Sequence, residues 1–104
     1  MSEADLVEFY GTECPHCHDM DPLVQKLEEE TGLKVQKLEV WHNEKNAEAM
    51  MECDKGFCGG VPFFFNKRTG KWICGATSYE NLKKWAVGDE HEGRVGLRFS
   101  KMKK

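Results

Sequence analysis

Apolar residues follow two spacings along the chain, and together they predict seven elements. Short apolar runs, alternating in part, predict four β-strands, at residues 5–10, 34–41, 61–65 and 71–75. Apolar residues at helical spacing predict three helices: one from the Cys-Pro-His-Cys run to about Thr31, one from Asn43 to about Cys53, and one after Ser78.

Residues at the ends of these segments support the helix predictions. Pro15 suits the first turn of a helix, where its missing N–H would have no partner, and Gly32 ends the same helix. Asn43 and Ser78 are residue types that cap helix N-termini. Pro22 lies inside the first helical pattern and predicts a kink there. In the second helix, Ala47, Met50 and Met51 are expected to face inward.

The element order β-α-β-α-β-β-α predicts an α/β fold. A right-handed β-α-β crossover followed by a hairpin gives a central mixed four-stranded sheet with helices on both faces. We assign residues 1–88 to this domain and residues 89–104 to a basic C-terminal extension. The alternation of Val95, Leu97 and Phe99 allows a short edge strand there, and a disordered terminus is the other interpretation.

Composition narrows the possible functions. The chain has 104 residues, enough for one domain, and a formal net charge of -3 that favours neither a nucleic acid nor a membrane partner. No apolar run approaches the ~18 residues of a membrane span. The start, Met-Ser-Glu-Ala-Asp, shows no secretory signal, and the five cysteines cannot all pair within one chain. We therefore expect a cytoplasmic monomer, unless a leader has been removed.

The strongest chemical signal is Cys14-Pro15-His16-Cys17, which lies between a predicted strand and a predicted helix. Thiolates attack disulfides, and a helix N-terminus favours a negative charge on Cys14. A protonated His16 adds a second favourable charge. Two intervening residues let Cys17 reach the Cys14 sulfur, so a mixed disulfide on Cys14 can be resolved within the chain.

The same spacing has other interpretations. A CxxC pair can be half of a zinc site, and Cys53 and Cys58 could provide the other half. The pair could also be without function.

Glu8 is the second candidate for chemistry. Leu6 and Tyr10 share its side of the first strand, and Val7 and Phe9 cover the other side, which predicts a buried strand. A buried carboxylate with a raised pKa could handle protons near the thiols. Lys37, in the neighbouring strand, could approach it, and a plain Glu8–Lys37 ion pair is the alternative.

These positions, taken together, resemble the thioredoxin family over residues 5 to about 88. That family has a buried acid six residues before its first active-site cysteine and a proline five residues after the second, where Glu8 and Pro22 stand here. Lys37 matches the lysine that accompanies the acid, and Val61-Pro62 matches the dipeptide beside the dithiol. Gly75 matches a glycine at the end of the last strand.

The resemblance implies roles for further residues. Pro62 would be cis and would keep metal away from the dithiol, and the Val61 backbone would bind an extended substrate. Gly60, Ala76 and the face around Pro15 and His16 would complete a shallow apolar groove. Cys14 would attack, Cys17 would resolve the mixed disulfide, and Glu8, accompanied by Lys37, would help Cys17 lose its proton.

The chain also departs from the family pattern. Glu13 stands where the family usually has tryptophan, and Pro-His replaces Gly-Pro between the cysteines. Pro-His is similar to the dithiols of periplasmic disulfide-forming oxidases, which predicts a potential less reducing than that of a typical thioredoxin. The length is closer to that of glutaredoxins, but no clear glutathione-binding motif is present.

The sequence allows several roles for the remaining cysteines and histidines. Cys53 and Cys58 could be buried thiols, a second regulatory disulfide or part of a metal site. Cys74 is expected in the core, and His18 and His42 on the surface.

The sequence thus predicts a thiol–disulfide oxidoreductase that needs no cofactor. Its partners would be protein disulfide or dithiol substrates and a reductase or oxidase. A zinc-binding module that uses Cys14, Cys17, Cys53 and Cys58 is one alternative, and a non-catalytic redox-sensing adaptor is another.

Overall fold

The computed structural model describes residues 5–54 and 58–88, and within them the predicted order of elements is confirmed. The strands are β1 (Leu6–Tyr10), β2 (Val35–Glu39), β3 (Phe63–Asn66) and β4 (Trp72–Cys74). The helices are α1 (Pro15–Thr31), α2 (Glu44–Asp54) and α3 (Tyr79–Val87). The predictions for the C-terminal extension lie outside the described residues.

The four strands form one mixed sheet in the order β2-β1-β3-β4. β1 is central: it pairs with β2 in parallel and with β3 antiparallel, and β4 pairs antiparallel with β3. This register sets Glu8 opposite Lys37 on one side and opposite Phe64 on the other. The carboxylate predicted to be buried therefore lies on the middle strand of the sheet.

Local capping explains where the helices begin and end. Asn43 Oδ1 accepts a hydrogen bond from the backbone N–H of Asn46, and Ser78 Oγ accepts one from Asn81. Gly32 ends α1 with a φ of 76°, a left-handed conformation that favours glycine. α1 continues through Pro22, which lies in its interior.

The sheet separates two apolar clusters. On one face, Leu6, Phe64 and Ile73 pack with residues of α1 and α3, including the fully buried Trp85. On the other face, Val7, Phe9 and Phe63 pack with Met50 of α2. Helices thus cover both faces, as predicted, with two helices on one side and one on the other.

The prediction that Met51 faces inward is wrong. Met50 and Asp54 are the buried residues of α2, and they are spaced i, i+4 on one side of the helix. Met51 is one residue further around the helix and is 66% exposed. Trp41, predicted as apolar content of the second strand, follows the end of β2 and is 51% exposed.

Candidate active site

The Cys14–Cys17 pair lies at the start of α1 and is joined as a disulfide. Cys14 is the N-cap residue, and its Sγ accepts a hydrogen bond of 3.1 Å from the backbone N–H of Cys17. Both cysteines are buried, while Pro15 and His16 between them are exposed. A negative charge on Cys14 would therefore meet a backbone donor and the positive end of the α1 dipole.

The loop before β3 brings a backbone carbonyl to this sulfur. The Val61–Pro62 peptide bond is cis, as the resemblance implied. The Val61 carbonyl oxygen lies 3.9 Å from Cys14 Sγ, and Pro62 is buried. The predicted dithiol and the predicted substrate-binding backbone are therefore neighbours in the structure.

The other residues predicted to line the groove differ in how far they are exposed to solvent. Gly60 is exposed and Val61 is half-buried. Ala76 is half-buried against the apolar cluster of α1 and α3. Gly60 and Val61 also line a mainly apolar cavity of about 390 Å³, together with Trp41, Met50 and Met51.

Glu8 is fully buried, and neither of its carboxylate oxygens has a hydrogen-bond partner within the described residues. Burial raises the pKa of this carboxyl from 4.5 to about 7, although the nearby charge of Lys37 acts in the opposite direction. A carboxyl with this pKa is partly protonated near neutral pH, so Glu8 can both accept and return a proton there.

Lys37 lies opposite Glu8 in the sheet, but the two side chains form no ion pair. The Lys37 ammonium donates a 2.7 Å hydrogen bond to Asp21 of α1. The plain Glu8–Lys37 ion pair is thus wrong: the long lysine stem carries the charge to a half-exposed site, where Asp21 pairs with it. Lys37 lowers the pKa of Glu8 through its charge, without a hydrogen bond to the carboxylate.

His18 lies between Asp21 and Thr12, which is in the loop before the dithiol. Its Nε2 lies 2.7 Å from the Thr12 carbonyl oxygen, and its Nδ1 lies 3.4 Å from Asp21 Oδ2. The backbone acceptor at Thr12, and after it the carboxylate of Asp21, raise the pKa of His18. His18 is on the surface, as predicted, and a charged imidazole there also lowers the pKa of Glu8.

Glu13, the residue before Cys14, pairs with His42, whose Nε2 lies 2.9 Å from each of its carboxylate oxygens. This hydrogen bond raises the pKa of His42. Glu39 completes a group of three side chains with metal-ligand atoms, the one such group in the described part of the chain. Glu39 already accepts hydrogen bonds from Thr12 and from the backbone of His42.

The remaining cysteines agree only in part with their predictions. Cys74 is half-buried and forms a disulfide with Cys58, so its placement in the core is wrong, and Cys53 is in neither disulfide. A Cys53–Cys58 disulfide does not form. The zinc set predicted as an alternative is not assembled either, because Cys58 pairs with a strand residue and no cysteine belongs to the candidate metal group described above.

Asp54 is a functional candidate that the sequence analysis missed. It is the last residue of α2 and is 4% exposed. Its two carboxylate oxygens accept hydrogen bonds from the backbone N–H groups of Cys58 (2.5 Å) and Gly59 (2.7 Å). An acidic residue just before a glycine-rich loop is a signal for such side-chain-to-backbone bonding. Asp21 was missed too, although it lies four residues after Cys17 on the same helix.

These features define a class of protein. A β-α-β-α-β-β-α fold with a CxxC pair at the start of its first helix, beside a cis-proline, is the arrangement of thioredoxin-like thiol–disulfide oxidoreductases. The family model described as Thioredoxin matches residues 1–86, and the chain belongs to the thioredoxin family.

Solved structures agree with this assignment. A mutant thioredoxin from Halobacterium salinarum NRC-1 is 28% identical, with a TM-score of 0.61 over 82% of this chain and 74% of that chain. The glutaredoxin grx-1 from Archaeoglobus fulgidus has a TM-score of 0.54 over 81% of this chain and 87% of that chain. At 17% identity, the second similarity concerns the fold alone. The comparison with curated proteins gives no match. No helix of the described residues is long and apolar enough to cross a membrane.

Proposed function

We propose that the chain is an enzyme that exchanges disulfides with protein substrates through Cys14 and Cys17. The observation that carries the proposal is the position of Cys14 Sγ. It lies 3.1 Å from the backbone nitrogen of Cys17 and 3.9 Å from the carbonyl oxygen of Val61. The nucleophile is thus held between a group that stabilises its charge and a backbone that can position a substrate.

The exchange takes two steps. In the reduced chain, the Cys14 thiolate attacks one sulfur of a substrate disulfide, and the other substrate sulfur leaves as a thiolate. Cys17 then loses its proton and attacks Cys14 Sγ, which releases the second substrate thiolate and leaves the Cys14–Cys17 disulfide. Two electrons pass to the substrate. The reverse sequence oxidises a substrate dithiol.

Glu8 is proposed as the acceptor of the Cys17 proton, either directly or through a water molecule. Its pKa of about 7 suits a group that must accept and return a proton near neutral pH. Lys37 and Asp21 form an ion pair that adjusts the charge near Glu8 without a contact to its carboxylate. We therefore place Lys37 as a positioning residue and Glu8 as the proton-handling residue.

The substrate is proposed to be an extended polypeptide that lies along the loop before β3. Gly60 and Val61 present open backbone there, and the apolar cavity that includes Trp41 and Met51 could take a side chain near the substrate cysteine. Pro15 and His16 are exposed between the two cysteines and would border the same groove.

The test is an insulin-reduction assay with dithiothreitol as electron donor. We expect Cys14→Ser to lose the catalysed rate entirely and Cys17→Ser to accumulate a mixed disulfide with the substrate, because the resolving thiol is gone. Cys53→Ser, outside both disulfides, is the matched control and should keep the parent rate. Turnover by the Cys14→Ser chain would exclude Cys14 as the nucleophile.

A further inference from the structure

Two disulfides lie at the same short segment, residues 58–62, which we call the cis-proline loop. Cys58 belongs to this loop and Cys14 lies beside it. Cys14 Sγ lies 3.9 Å from the carbonyl oxygen of Val61, and Cys58 Sγ lies 3.4 Å from that of Gly60. The two disulfides therefore border consecutive peptide groups of the backbone that is proposed to bind the substrate.

Hydrogen bonds hold this loop at its two ends, and the Cys58 and Val61 side chains pack against the apolar cluster that contains Met50. Asp54 binds the N–H groups at its start, and the Pro62 carbonyl at its end accepts a 2.8 Å hydrogen bond from the Gly75 N–H. Between these points are Gly59, with a φ of 73°, and Gly60. A Cβ built at either glycine would have no atom of the described residues within 4 Å, so residues 5–54 and 58–88 leave this part of the loop without close packing.

The Cys58–Cys74 disulfide supplies the covalent restraint that this packing does not. Cys74 lies opposite Phe63 at the end of the β3–β4 ladder, so the bond ties the start of the loop to a paired strand. Both cysteines are half-buried, whereas Cys14 and Cys17 are buried. The second disulfide is thus at least as open as the first to attack by a thiolate.

We propose that Cys58–Cys74 is a second redox couple, opened by small thiols of the glutathione type, and that its state sets how firmly the chain binds protein substrates. Two thiols reduce it: the first attacks one sulfur to form a mixed disulfide, and the second releases this bond. The products are two protein thiols and one oxidised small disulfide. The inference rests on the proposed function, since the loop matters only if it binds substrate.

The consequence of reduction is a wider range of loop conformations. Once the bond opens, the start of the loop keeps the Asp54 hydrogen bonds and the packing of Cys58 on the apolar cluster, but loses its covalent tie to β4. A smaller fraction of molecules then presents the Gly60–Val61 backbone in the binding conformation. The apparent affinity for the substrate falls in proportion to that fraction. A small-molecule substrate, which reaches Cys14 without using this backbone, is unaffected.

The experiment compares the oxidised parent with a Cys58→Ser, Cys74→Ser double variant in single turnover, with the substrate as the sole added reductant. Loss of the Cys14–Cys17 disulfide is followed separately, because dithiothreitol also opens Cys58–Cys74 in the parent. The protein substrate is reduced, unfolded ribonuclease A, which passes two electrons to Cys14–Cys17, and the small substrate is dithiothreitol. We expect the half-saturating ribonuclease concentration to rise about tenfold, within the usual range for coupling between two sites. The dithiothreitol rate should stay within about twofold. Cys53→Ser is the control and should match the parent.

An unchanged half-saturating concentration for ribonuclease in the double variant would overturn the proposal. If the serine double variant does not fold, the same measurement is made with the Cys58→Ala, Cys74→Ala double variant. A parent that oxidises neither substrate would instead count against the proposed function, so the two failures are distinct.

A second measurement tests whether the couple is reducible in the folded chain. The parent is equilibrated in glutathione buffers, alkylated, and analysed by mass spectrometry of the separate cysteine peptides. We expect Cys58 and Cys74 to become alkylated while the circular dichroism remains that of the folded chain. If they stay oxidised until the chain unfolds, the bond is a structural one and the proposal fails.

Discussion

At the residue scale, Glu8 shows how one buried group links stability to chemistry. A carboxyl whose pKa is raised on folding binds more protons in the folded chain than in the unfolded one between the two pKa values. For Glu8 that interval runs from 4.5 to about 7. The free energy of unfolding therefore falls as the pH rises through it, and the proton-handling role carries a cost in stability.

Replacing this carboxyl by an amide of the same shape tests the argument. Because Gln has no charge to desolvate, we expect the stability advantage of Glu8→Gln over the parent to grow by about 3 kcal/mol between about pH 4 and about pH 8. Urea unfolding at the two pH values measures it. Glu29→Gln, on the exposed surface of α1, is the control and should show no such growth. A constant difference would mean that folding does not raise the pKa of Glu8.

The burial of Glu8 could be predicted because β1 is apolar on both sides of the acid. The partner of Lys37 could not be predicted in the same way. Strand register sets Lys37 opposite Glu8, but Asp21 becomes available only when α1 packs across the sheet edge. The Lys37 ammonium therefore pairs with a helix residue, Asp21, rather than with Glu8 of the neighbouring strand.

At the scale of elements, Asn66 connects the β3–β4 hairpin to α3. It is fully buried, and its Nδ2 donates a 3.1 Å hydrogen bond to the carbonyl oxygen of Trp85. Its Oδ1 accepts hydrogen bonds from Arg68 and Thr69 in the hairpin turn. One amide thus serves the turn and the helix together.

Removal of this amide should weaken both contacts. We expect Asn66→Ala to lower the free energy of unfolding by about 2 kcal/mol, the usual cost of leaving buried polar groups without their partner. Chemical denaturation measures the change, with Lys67→Ala on the exposed turn as the control. Equal midpoints for the two variants would show that α3 holds its position without this bond.

Element boundaries were predictable to within a residue or two where the signal is local. Asn43, Ser78 and Gly32 cap their helices as expected because capping depends on a few neighbouring residues. The Cys58–Cys74 pairing was not predictable, because it requires the β3–β4 register and the path of the preceding loop together. Met51 was misplaced because helical spacing alone does not say which side of α2 meets the sheet.

At the scale of the whole molecule, the Cys58–Cys74 bond closes a segment with a sequence separation of 16. In the chain-entropy view, a loop of this size stabilises the folded state by about 3 kcal/mol, because the unfolded chain loses conformations. We expect the Cys58→Ser, Cys74→Ser variant to lose about that amount. Denaturation without reductant measures it, and an unchanged stability would indicate that the bond does not form in the folded protein.

The uneven covering of the sheet has a consequence for local unfolding. α1 and α3 share one face with a large apolar cluster, whereas α2 alone covers the other and buries two of its own residues, Met50 and Asp54. Partial opening of a protein begins where the fewest apolar contacts must break. We therefore expect α2 to be the helix that detaches first. Because Asp54 belongs to α2, its hydrogen bonds to the cis-proline loop break when the helix detaches. The loop thus loses these contacts while the central strands stay paired.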